Sequence, residues 1–357
     1  MSRILRDFDW IILGLVLFLG AASLVSLASS NTTFFWRQLV WYALSIIVIA
    51  FGSRLDWRWL IGRDWFRYGL YVFSVLFLIV SNLQSQTIRG TKSWITFGGF
   101  QFEPAELAKL ALIIILAGFF SRRYLEAWRG RNILVSLMLA LLPVILVVIQ
   151  PDLGSALVIM SIWLGFLLMS GVNYRRLGVG LILGILIFSL LWAFYLKPYQ
   201  KDRLTGFLFQ EKDPLGINYN VIQSKIAIGS AGLLGKGFGA GTQTQLKFLP
   251  ETQTDFIFAA FVEEWGILGG SLVVLAFMFL LYRIVLIGLT ARSNEAKFIS
   301  LGAGLMFLVH FIINLGANLG LLPVAGIPFP FLSYGGSSLL TGAALISIIE
   351  HIKLESR

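Results

Sequence analysis

Long apolar runs dominate this chain, and short polar stretches separate them. Runs of about 20 mostly apolar residues are long enough to cross a lipid bilayer as helices. The first run begins at Trp10 and is too long for the apolar core of a signal peptide. The pattern predicts ten membrane-spanning helices, at residues 10–28, 36–53, 66–81, 104–120, 132–149, 153–171, 177–196, 256–282, 297–319 and 332–350.

The composition agrees with a protein that lies mostly in lipid. Of the 357 residues, 57% are hydrophobic and 13% are charged, whereas about 25% are charged in a typical soluble domain. The chain has no cysteine, which excludes disulfides and thiolate metal sites. Its two histidines, His310 and His351, are too few for a multi-histidine metal centre. We therefore expect an all-α polytopic membrane protein.

The positions of Lys and Arg predict its orientation. The net charge is +10, but the basic residues are spread between the spans rather than gathered on one face, which argues against a nucleic-acid partner. With the N-terminus in the cytoplasm, the short external loops hold only Arg37, Arg89 and Lys92. We expect both termini in the cytoplasm and one integral membrane domain over residues 1–357, with a large extracytoplasmic loop at residues 197–254.

Asp255 directly precedes the apolar run of the eighth predicted span. A carboxylate there can meet water on one side and a lipid-borne substrate on the other, which makes it a candidate catalytic group. The alternative is a helix N-cap, a common structural use of Asp. Glu263 and Glu264 follow on the same helix, about 12 Å deeper than Asp255. We expect each to face the protein interior, to be protonated, or to pair with a cation.

Glu106 and Lys109 place opposite charges three residues apart near the start of the fourth predicted span. An internal salt bridge would neutralise both charges within the membrane. Lys109 could also point into the cavity used by Asp255 and steady a pyrophosphate, and the sequence leaves both interpretations open. Asp152, in the short turn before the sixth span, could cap that helix or add a second acidic group at the external mouth.

A glycine-rich piece, GSAGLLGKGFGAG, lies late in the large loop and contains Lys236. It lacks the P-loop pattern, because Ser230 stands where that pattern needs Gly and Gly237 stands where it needs Ser or Thr. The piece is therefore not predicted to bind a nucleotide. Two interpretations remain: a flexible turn, or a backbone that approaches a lipid pyrophosphate beside Lys236.

Polar groups also mark the ninth predicted span and the segment that follows it. His310, Asn314 and Asn318 recur every four residues, which predicts interhelical hydrogen bonds along one helix face. The next segment, LLPVAGIPFPFLSYGGSS, contains three prolines and two adjacent glycines. It predicts non-helical backbone that lines a cavity or is buried in protein. Ser333 in this segment is a candidate substrate-binding residue.

Several of these stretches together resemble the SEDS family of polytopic cell-wall polymerases, and its elongation branch, RodA, more than its division branch, FtsW. The resemblance covers most of the chain, from about residue 89 to residue 338, and the segments occur in the family's order. They are KSWITFGGFQFEPAELAK, QPDLGSA, NYNVIQSKIAIGSAGLLGKG, FLPETQTDFIFAAFVEEWG and PFPFLSYGGSS.

The resemblance implies a lipid II glycosyltransferase that polymerises glycan strands on the outer face of the bacterial cytoplasmic membrane. It also implies a class B penicillin-binding protein as the crosslinking partner, with other membrane proteins of the elongation complex. The family's catalytic acid maps onto Asp255, and further site residues map onto Glu106, Lys109 and Asp152. Many relatives have His two residues before the catalytic acid, where this chain has Gln253.

From this we expect Asp255 to act as a general base toward the acceptor sugar hydroxyl. Arg89, Lys92 or Lys109, or a divalent cation such as Mg²⁺ or Mn²⁺, would take up charge on the departing pyrophosphate. Lys236 and Ser333 complete the set of substrate-binding candidates. No organic cofactor is expected, because the lipid-linked substrate carries its own leaving group.

Two other functions remain open at this stage. A lipid II flippase would suit the ionisable residues within the spans, although no inverted repeat is evident and the long polar loop lies on one side only. A non-catalytic scaffold for cell-wall enzymes is the other function. It predicts that substitutions at Asp255 matter no more than substitutions at neighbouring positions.

Overall fold

The computed structural model describes residues 8–83, 93–97, 100–123, 126, 129–172 and 218–356, with single positions and short pieces between 178 and 207. The described chain is mostly helical. The elements with described bounds are, in order, α1 (Trp10–Ser30), α2 (Thr32–Gly52), α3 (Trp57–Ile61), α4 (Asp64–Leu83), β1 (Ile95–Phe97), β2 (Phe100–Phe102), α5 (Pro104–Arg122), α6 (Gly130–Ile149), α7 (Leu153–Met169), α8 (Tyr219–Gly229), α9 (Thr242–Gln245), α10 (Ile257–Thr290), α11 (Asn294–Asn318) and α12 (Gly336–Ser356).

Eight of these helices are long and apolar enough to cross a membrane, within the part of the chain that is described. They match eight of the ten predicted spans, and the sixth predicted span corresponds to the shorter apolar helix α7. The seventh, at 177–196, lies largely outside the described residues. The last span begins at Gly336 rather than at residue 332, because the Pro- and Gly-rich segment before it is not helical, as its composition predicts.

Helix α5 lies at the centre of the bundle. It packs against α4, α6, α7, α11 and α12. In its most apolar stretch 83% of the residues are buried, compared with 22% for α2 and 28% for α6. The peripheral helices present Leu, Ile, Val and Phe outward, as expected of surfaces that face lipid. A helix that is surrounded by protein can carry charged groups when they are paired, and α5 contains two buried ones, Glu106 and Lys109.

The two ends of the bundle are held by different polar contacts. At the end where the described chain begins and ends, the buried Asp9 caps α1 and bonds Arg283 of α10 and Lys353 of α12, with 3.0 Å to the Lys353 ammonium. Burial alone would raise the pKa of Asp9, but the hydrogen bonds from Arg283 and Lys353 hold it below its usual value. We call this the terminal end, and the opposite end, which carries α8, α9 and residues 230–256, the loop end.

Helix α10 is broken at Gly266, whose φ of 73° and ψ of 179° are far from helical. The break leaves neighbouring backbone groups without helical partners, and residues 232–239, here called the glycine loop, bond them instead. Four hydrogen bonds of 3.0–3.2 Å join the two segments: Lys236 N to Glu263 O, Gly237 N to Glu264 O, Ile267 N to Gly232 O, and Leu268 N to Leu233 O.

Glycine is required on both sides of this contact. A Cβ on Gly235 would overlap the backbone at Glu264 and Gly266, and a Cβ on Gly266 would overlap the backbone at Leu233 and Gly235. Both residues also have positive φ, which glycine adopts without strain. The glycine-rich piece is therefore an ordered element that completes a membrane helix. Of the two interpretations left by the sequence, the flexible turn does not describe it.

The break also changes the depth expected for Glu263 and Glu264. Glu264 accepts a hydrogen bond from Ser29 in the last turn of α1, and the carbonyl of Asp255 is bound by Asn318, the last residue of α11. Both ends of segment 257–265 thus lie at the loop end. The predicted depth difference of about 12 Å is wrong, because the chain turns at Gly266 and only the part after it crosses the bundle.

Candidate active site

Asp255 lies in a turn before α10 and does not cap that helix. The N-cap residue is Phe256, and it has no side-chain capping bond. Glu251 has a φ of 54° and belongs to the same turn, before the helix begins. The N-cap interpretation of Asp255 is therefore wrong. Its side chain is half-exposed at the loop end, whereas the next residues are buried.

Two amides of α11 hold the backbone carbonyl of Asp255. Asn314 Nδ2 donates to it at 3.1 Å, and Asn318 Nδ2 donates to it at 2.8 Å. Asn318 Oδ1 also accepts the backbone N–H of Ala259 in the first turn of α10, at 3.1 Å. The two asparagines are buried. The predicted polar face of α11 thus makes interhelical hydrogen bonds, and they position the candidate catalytic residue.

The segment before α12 holds the two preceding carbonyls. Ser333 Oγ donates to Thr254 O at 2.7 Å, and the backbone N–H of Tyr334 donates to Gln253 O at 2.9 Å. Ser333 Oγ also accepts the N–H of Phe329 at 2.9 Å. Three consecutive carbonyls, from residues 253, 254 and 255, are therefore bonded to other parts of the fold. These bonds hold the turn that carries Asp255 through its backbone.

Glu106 and Lys109 form the expected salt bridge inside the bundle, with 2.8 Å between Nζ and Oε1 and almost no exposure of either side chain. Lys109 Nζ also lies 3.3 Å from His310 Nε2 of α11. An ammonium group can only donate, so Nε2 must accept and the ring proton must be on Nδ1. His310 therefore belongs to this cluster, a contact that the sequence did not predict.

Helix α11 connects the salt bridge with Asp255. His310 contacts the Lys109 ammonium, and the amides of Asn314 and Asn318 donate to the backbone carbonyl of Asp255. All three side chains lie on the same face of α11. Residues four and eight positions apart are separated by about 6 and 12 Å along a helix. The Lys109–Glu106 pair therefore lies deeper in the bundle than Asp255. The proposal that Lys109 faces the cavity used by Asp255 remains a prediction.

Glu103 is an acidic group that lies beside Asp152, and the sequence did not indicate it as a site residue. Asp152 Oδ1 accepts the N–H of Ser155 at 3.0 Å, which confirms it as the cap of α7. The Ser155 hydroxyl lies 3.4 Å from Glu103 Oε1. Burial, followed by the negative charges of Glu106 and Asp152, raises the pKa of Glu103 to about 8. The only available signal was its place directly before the proline that begins α5.

Lys236 is bonded to Glu263 rather than extended into an open cavity. The distance between Nζ and Oε1 is 2.8 Å, and the Lys236 side chain is 24% exposed. The Glu263 carboxylate also accepts the N–H groups of Gln243 and Thr244, at 2.8 and 3.1 Å. The expected pairing of Glu263 with a cation is confirmed. A role of Lys236 in substrate binding remains a prediction.

The candidate residues thus form two groups in the described structure. Ser333 bonds the carbonyl of Thr254, next to Asp255, at the loop end, while Glu106, Lys109 and Asp152 lie near Glu103 around the start of α5 and α7. Lys236 belongs to neither group and pairs with Glu263. Arg89 and Lys92 lie outside the described residues. Glu264, the remaining acid of the eighth span, bonds Ser29 and Gln245 at the loop end.

Comparisons with known proteins show which family the chain belongs to. Residues 4–357 match the family model of FtsW, RodA and SpoVE, described as "Cell cycle protein". The peptidoglycan glycosyltransferase MrdB of Escherichia coli K12 is 35% identical over 325 residues, which cover 90% of this chain and 87% of that protein.

Solved structures share the same fold. One chain of a peptidoglycan synthase complex, described as coordinating polymerization and crosslinking, superposes with a TM-score of 0.84 at 32% identity and covers 98% of both chains. The rod shape determining protein RodA of Thermus thermophilus superposes with a TM-score of 0.73 at 28% identity, covering 97% of this chain and 96% of that one. The chain therefore belongs to the FtsW/RodA/SpoVE family, the SEDS family that its sequence motifs indicate, and it is most like the RodA members.

Proposed function

We propose that this protein is a peptidoglycan glycosyltransferase that polymerises lipid II into glycan strands during cell elongation. Its relatives are named for this activity. The observation that carries the assignment of the site is the half-exposed Asp255 on a turn whose three carbonyls are bonded to α11 and to the segment before α12. Such anchoring fixes a reacting carboxylate relative to the bundle, as catalysis requires.

In the proposed reaction, Asp255 acts as a general base. Its carboxylate accepts the proton of a sugar hydroxyl on the acceptor, and the hydroxyl oxygen attacks the anomeric carbon of the lipid-linked donor. The bond from that carbon to the pyrophosphate breaks, and the lipid pyrophosphate leaves with the electron pair. Because this leaving group is already good, one base suffices and no nucleotide is needed.

Positive charge near the leaving pyrophosphate would stabilise the transition state. Arg89, Lys92 and Lys109 are the proposed sources, with Lys236 and Ser333 as further contacts to substrate. The neutralisation of Lys109 by Glu106 supports a role in setting the local potential rather than a large net positive charge.

A divalent cation would also serve this step. Glu103 and Asp152 both contact Ser155 at the start of α7, and ionised carboxylate oxygens suit Mg²⁺ or Mn²⁺. Glu103 would have to lose its proton to serve as a ligand, because its pKa is raised to about 8. When bound, such an ion would neutralise charge on the pyrophosphate. No organic cofactor is part of the proposal.

The proposed setting is the bacterial cytoplasmic membrane, with the loop end outside the cell and both termini in the cytoplasm. The similarity to a chain of a peptidoglycan synthase complex supports a class B penicillin-binding protein as partner. The proposed partnership extends to other membrane proteins of the elongation complex and to the lipid II substrate itself.

The decisive experiment is Asp255→Asn in purified protein, assayed for lipid II polymerisation together with its crosslinking partner. The variant keeps the backbone bonds of the turn, so we expect unchanged folding and partner binding but loss of glycan strands. Glu251→Gln removes a carboxylate from the same turn and is the matched control, with activity expected near wild type. Strand synthesis by Asp255→Asn at the wild-type rate would refute the assignment.

The same proteins in lipid II liposomes distinguish polymerisation from transport. Movement of lipid II across the bilayer is followed separately from strand length, by access of an added reagent to the outer leaflet. A transporter would move lipid II whether or not Asp255 is present and would make no strands. A scaffold would do neither alone, and Asp255→Asn would behave like Glu251→Gln.

A further inference from the structure

The glycine loop has a fixed height along α10. Its backbone is bonded to residues on both sides of Gly266, so residues 232–237 lie level with residues 263–268. Immediately after the break, Ile267 and Leu268 are exposed on the outer surface of α10. Further exposed apolar residues continue along the same spanning helix. The glycine loop therefore adjoins the lipid-facing surface of a membrane span.

The side chains of the glycine loop are apolar and point outward. Leu233 is 67% exposed, Leu234 is 80% exposed and Phe238 is 59% exposed. These fractions are as large as those of lipid-facing residues on the spanning helices, such as Leu272 at 57%. Three large apolar side chains on one short loop form a surface that is unfavourable in water.

The loop carries no charge that would keep it in water. From residue 230 to residue 241 the only charged residue is Lys236, and its ammonium is bonded to the carboxylate of Glu263. The backbone groups at residues 232, 233, 236 and 237 are bonded to α10. Irregular backbone is tolerated in lipid only when its polar groups are satisfied by protein. The bonds to α10 meet that condition for one backbone group at each of these four residues.

We propose that the glycine loop is a lipid-binding element that inserts Leu233, Leu234 and Phe238 into the bilayer at the boundary of headgroups and acyl chains. Its partner is the lipid surface itself, and the surface is continuous with the lipid-facing side of α10. The inserted loop is joined to α10 by the Lys236–Glu263 salt bridge and by the backbone bonds around Gly266. It therefore fixes how deep segment 257–265, which begins beside Asp255, lies in the membrane. The proposal concerns membrane contact and does not depend on the catalytic role of Asp255.

The absence of native cysteine allows a direct test. Leu234→Cys and Phe238→Cys are each labelled with an environment-sensitive fluorophore and reconstituted without partner proteins into phosphatidylcholine and phosphatidylglycerol vesicles. Quenching is measured with lipids that carry a nitroxide high on the acyl chain, and with iodide in the aqueous phase. Leu272→Cys is the control in lipid, and Lys247→Cys, an exposed position between α9 and α10, is the control in water.

We expect labels at 234 and 238 to emit at shorter wavelength than the label at 247, to be quenched by the lipid nitroxide, and to lose iodide quenching. Iodide quenching equal to that at 247, with no effect of the lipid nitroxide, would place the loop in water and overturn the proposal. Protection from both quenchers would also overturn it, because the loop would then be covered by protein, such as a second copy of the chain. Two labelled positions keep the test valid if one variant does not fold.

Discussion

Removing the amide of Asn318 should damage the candidate site more than the fold. In Asn318→Ala the carbonyl of Asp255 loses its 2.8 Å hydrogen bond and keeps the 3.1 Å bond from Asn314. The N–H of Ala259 loses the acceptor that Asn318 provides at 3.1 Å. Because Asn318 is fully buried, water does not replace these bonds without a change in packing.

The magnitude follows from these two losses. A buried donor without a partner costs about 1–3 kcal/mol, and a lost hydrogen bond costs about 0.5–1.5 kcal/mol. The variant should therefore lose roughly 1.5–4.5 kcal/mol of stability, the sum of the two ranges. The turn that carries Asp255 is then held by fewer bonds, and a displacement of about 1 Å at a reacting group can lower the rate by about 100-fold.

The assay compares thermal unfolding in detergent with the rate of lipid II polymerisation in the presence of the crosslinking partner. Asn82→Ala is the matched control, because the Asn82 amide donates to the carbonyls of Leu78 and Leu146, at 3.1 and 3.2 Å, within and between spanning helices rather than to the turn of Asp255. We expect Asn82→Ala to lose stability without a comparable loss of rate. Equal rates in the two variants, at temperatures where both are folded, would refute a positioning role for Asn318.

Three further variants test other parts of the structure. Gly266→Ala should lose about 1–3 kcal/mol from its backbone conformation alone, and more from overlap with the carbonyl of Leu233, measured as a lower unfolding temperature. Glu103→Gln should flatten the pH dependence of unfolding: the raised pKa of about 8 means that wild-type stability falls as pH rises from about 4.5 to 8. Lys109→Met should lose about 3–5 kcal/mol, because Glu106 stays buried without its cation.

Each variant has a control that would expose an error. Gly14→Ala places a methyl group in open space within a helix and should leave stability unchanged or raise it by up to ~1 kcal/mol, so an equal loss in both glycine variants would contradict the argument from the break. If Glu103→Gln unfolds with the same pH dependence as the wild type, the prediction for Glu103 is wrong. Adding Glu106→Gln to Lys109→Met should restore stability, since no buried charge remains, and failure to do so would show that packing dominates.

The spans were predictable because the signal is local. A run of about 20 apolar residues indicates a membrane helix whatever its neighbours are, and nine of the ten predicted runs correspond to described helices. The salt bridge of Glu106 and Lys109 was predictable for the same reason, since residues three apart share a helix face.

The break at Gly266 was not predictable from its own sequence. A glycine within an apolar run is compatible with a continuous helix, and what stabilises the break is a loop about thirty residues earlier. The polar face of Asn314 and Asn318 was recognised, but its target, the carbonyl of Asp255, is set by tertiary contacts 59 and 63 residues away in the chain. Glu103 was missed because its neighbours Asp152 and Ser155 belong to another helix.

The central position of α5 has a consequence for how the protein is assembled. This helix has a mean hydropathy of 1.7, below the 2.6 of α1 and the 2.8 of α6, and a charged residue can add up to about 2.5–3.5 kcal/mol to the cost of insertion into lipid. Because Glu106 and Lys109 lie one turn apart and form a salt bridge, we expect α5 to enter the bilayer with these two charges already paired, before α11 has been synthesised. Both members of the ion pair belong to α5 itself, so insertion of this helix does not depend on the second half of the protein.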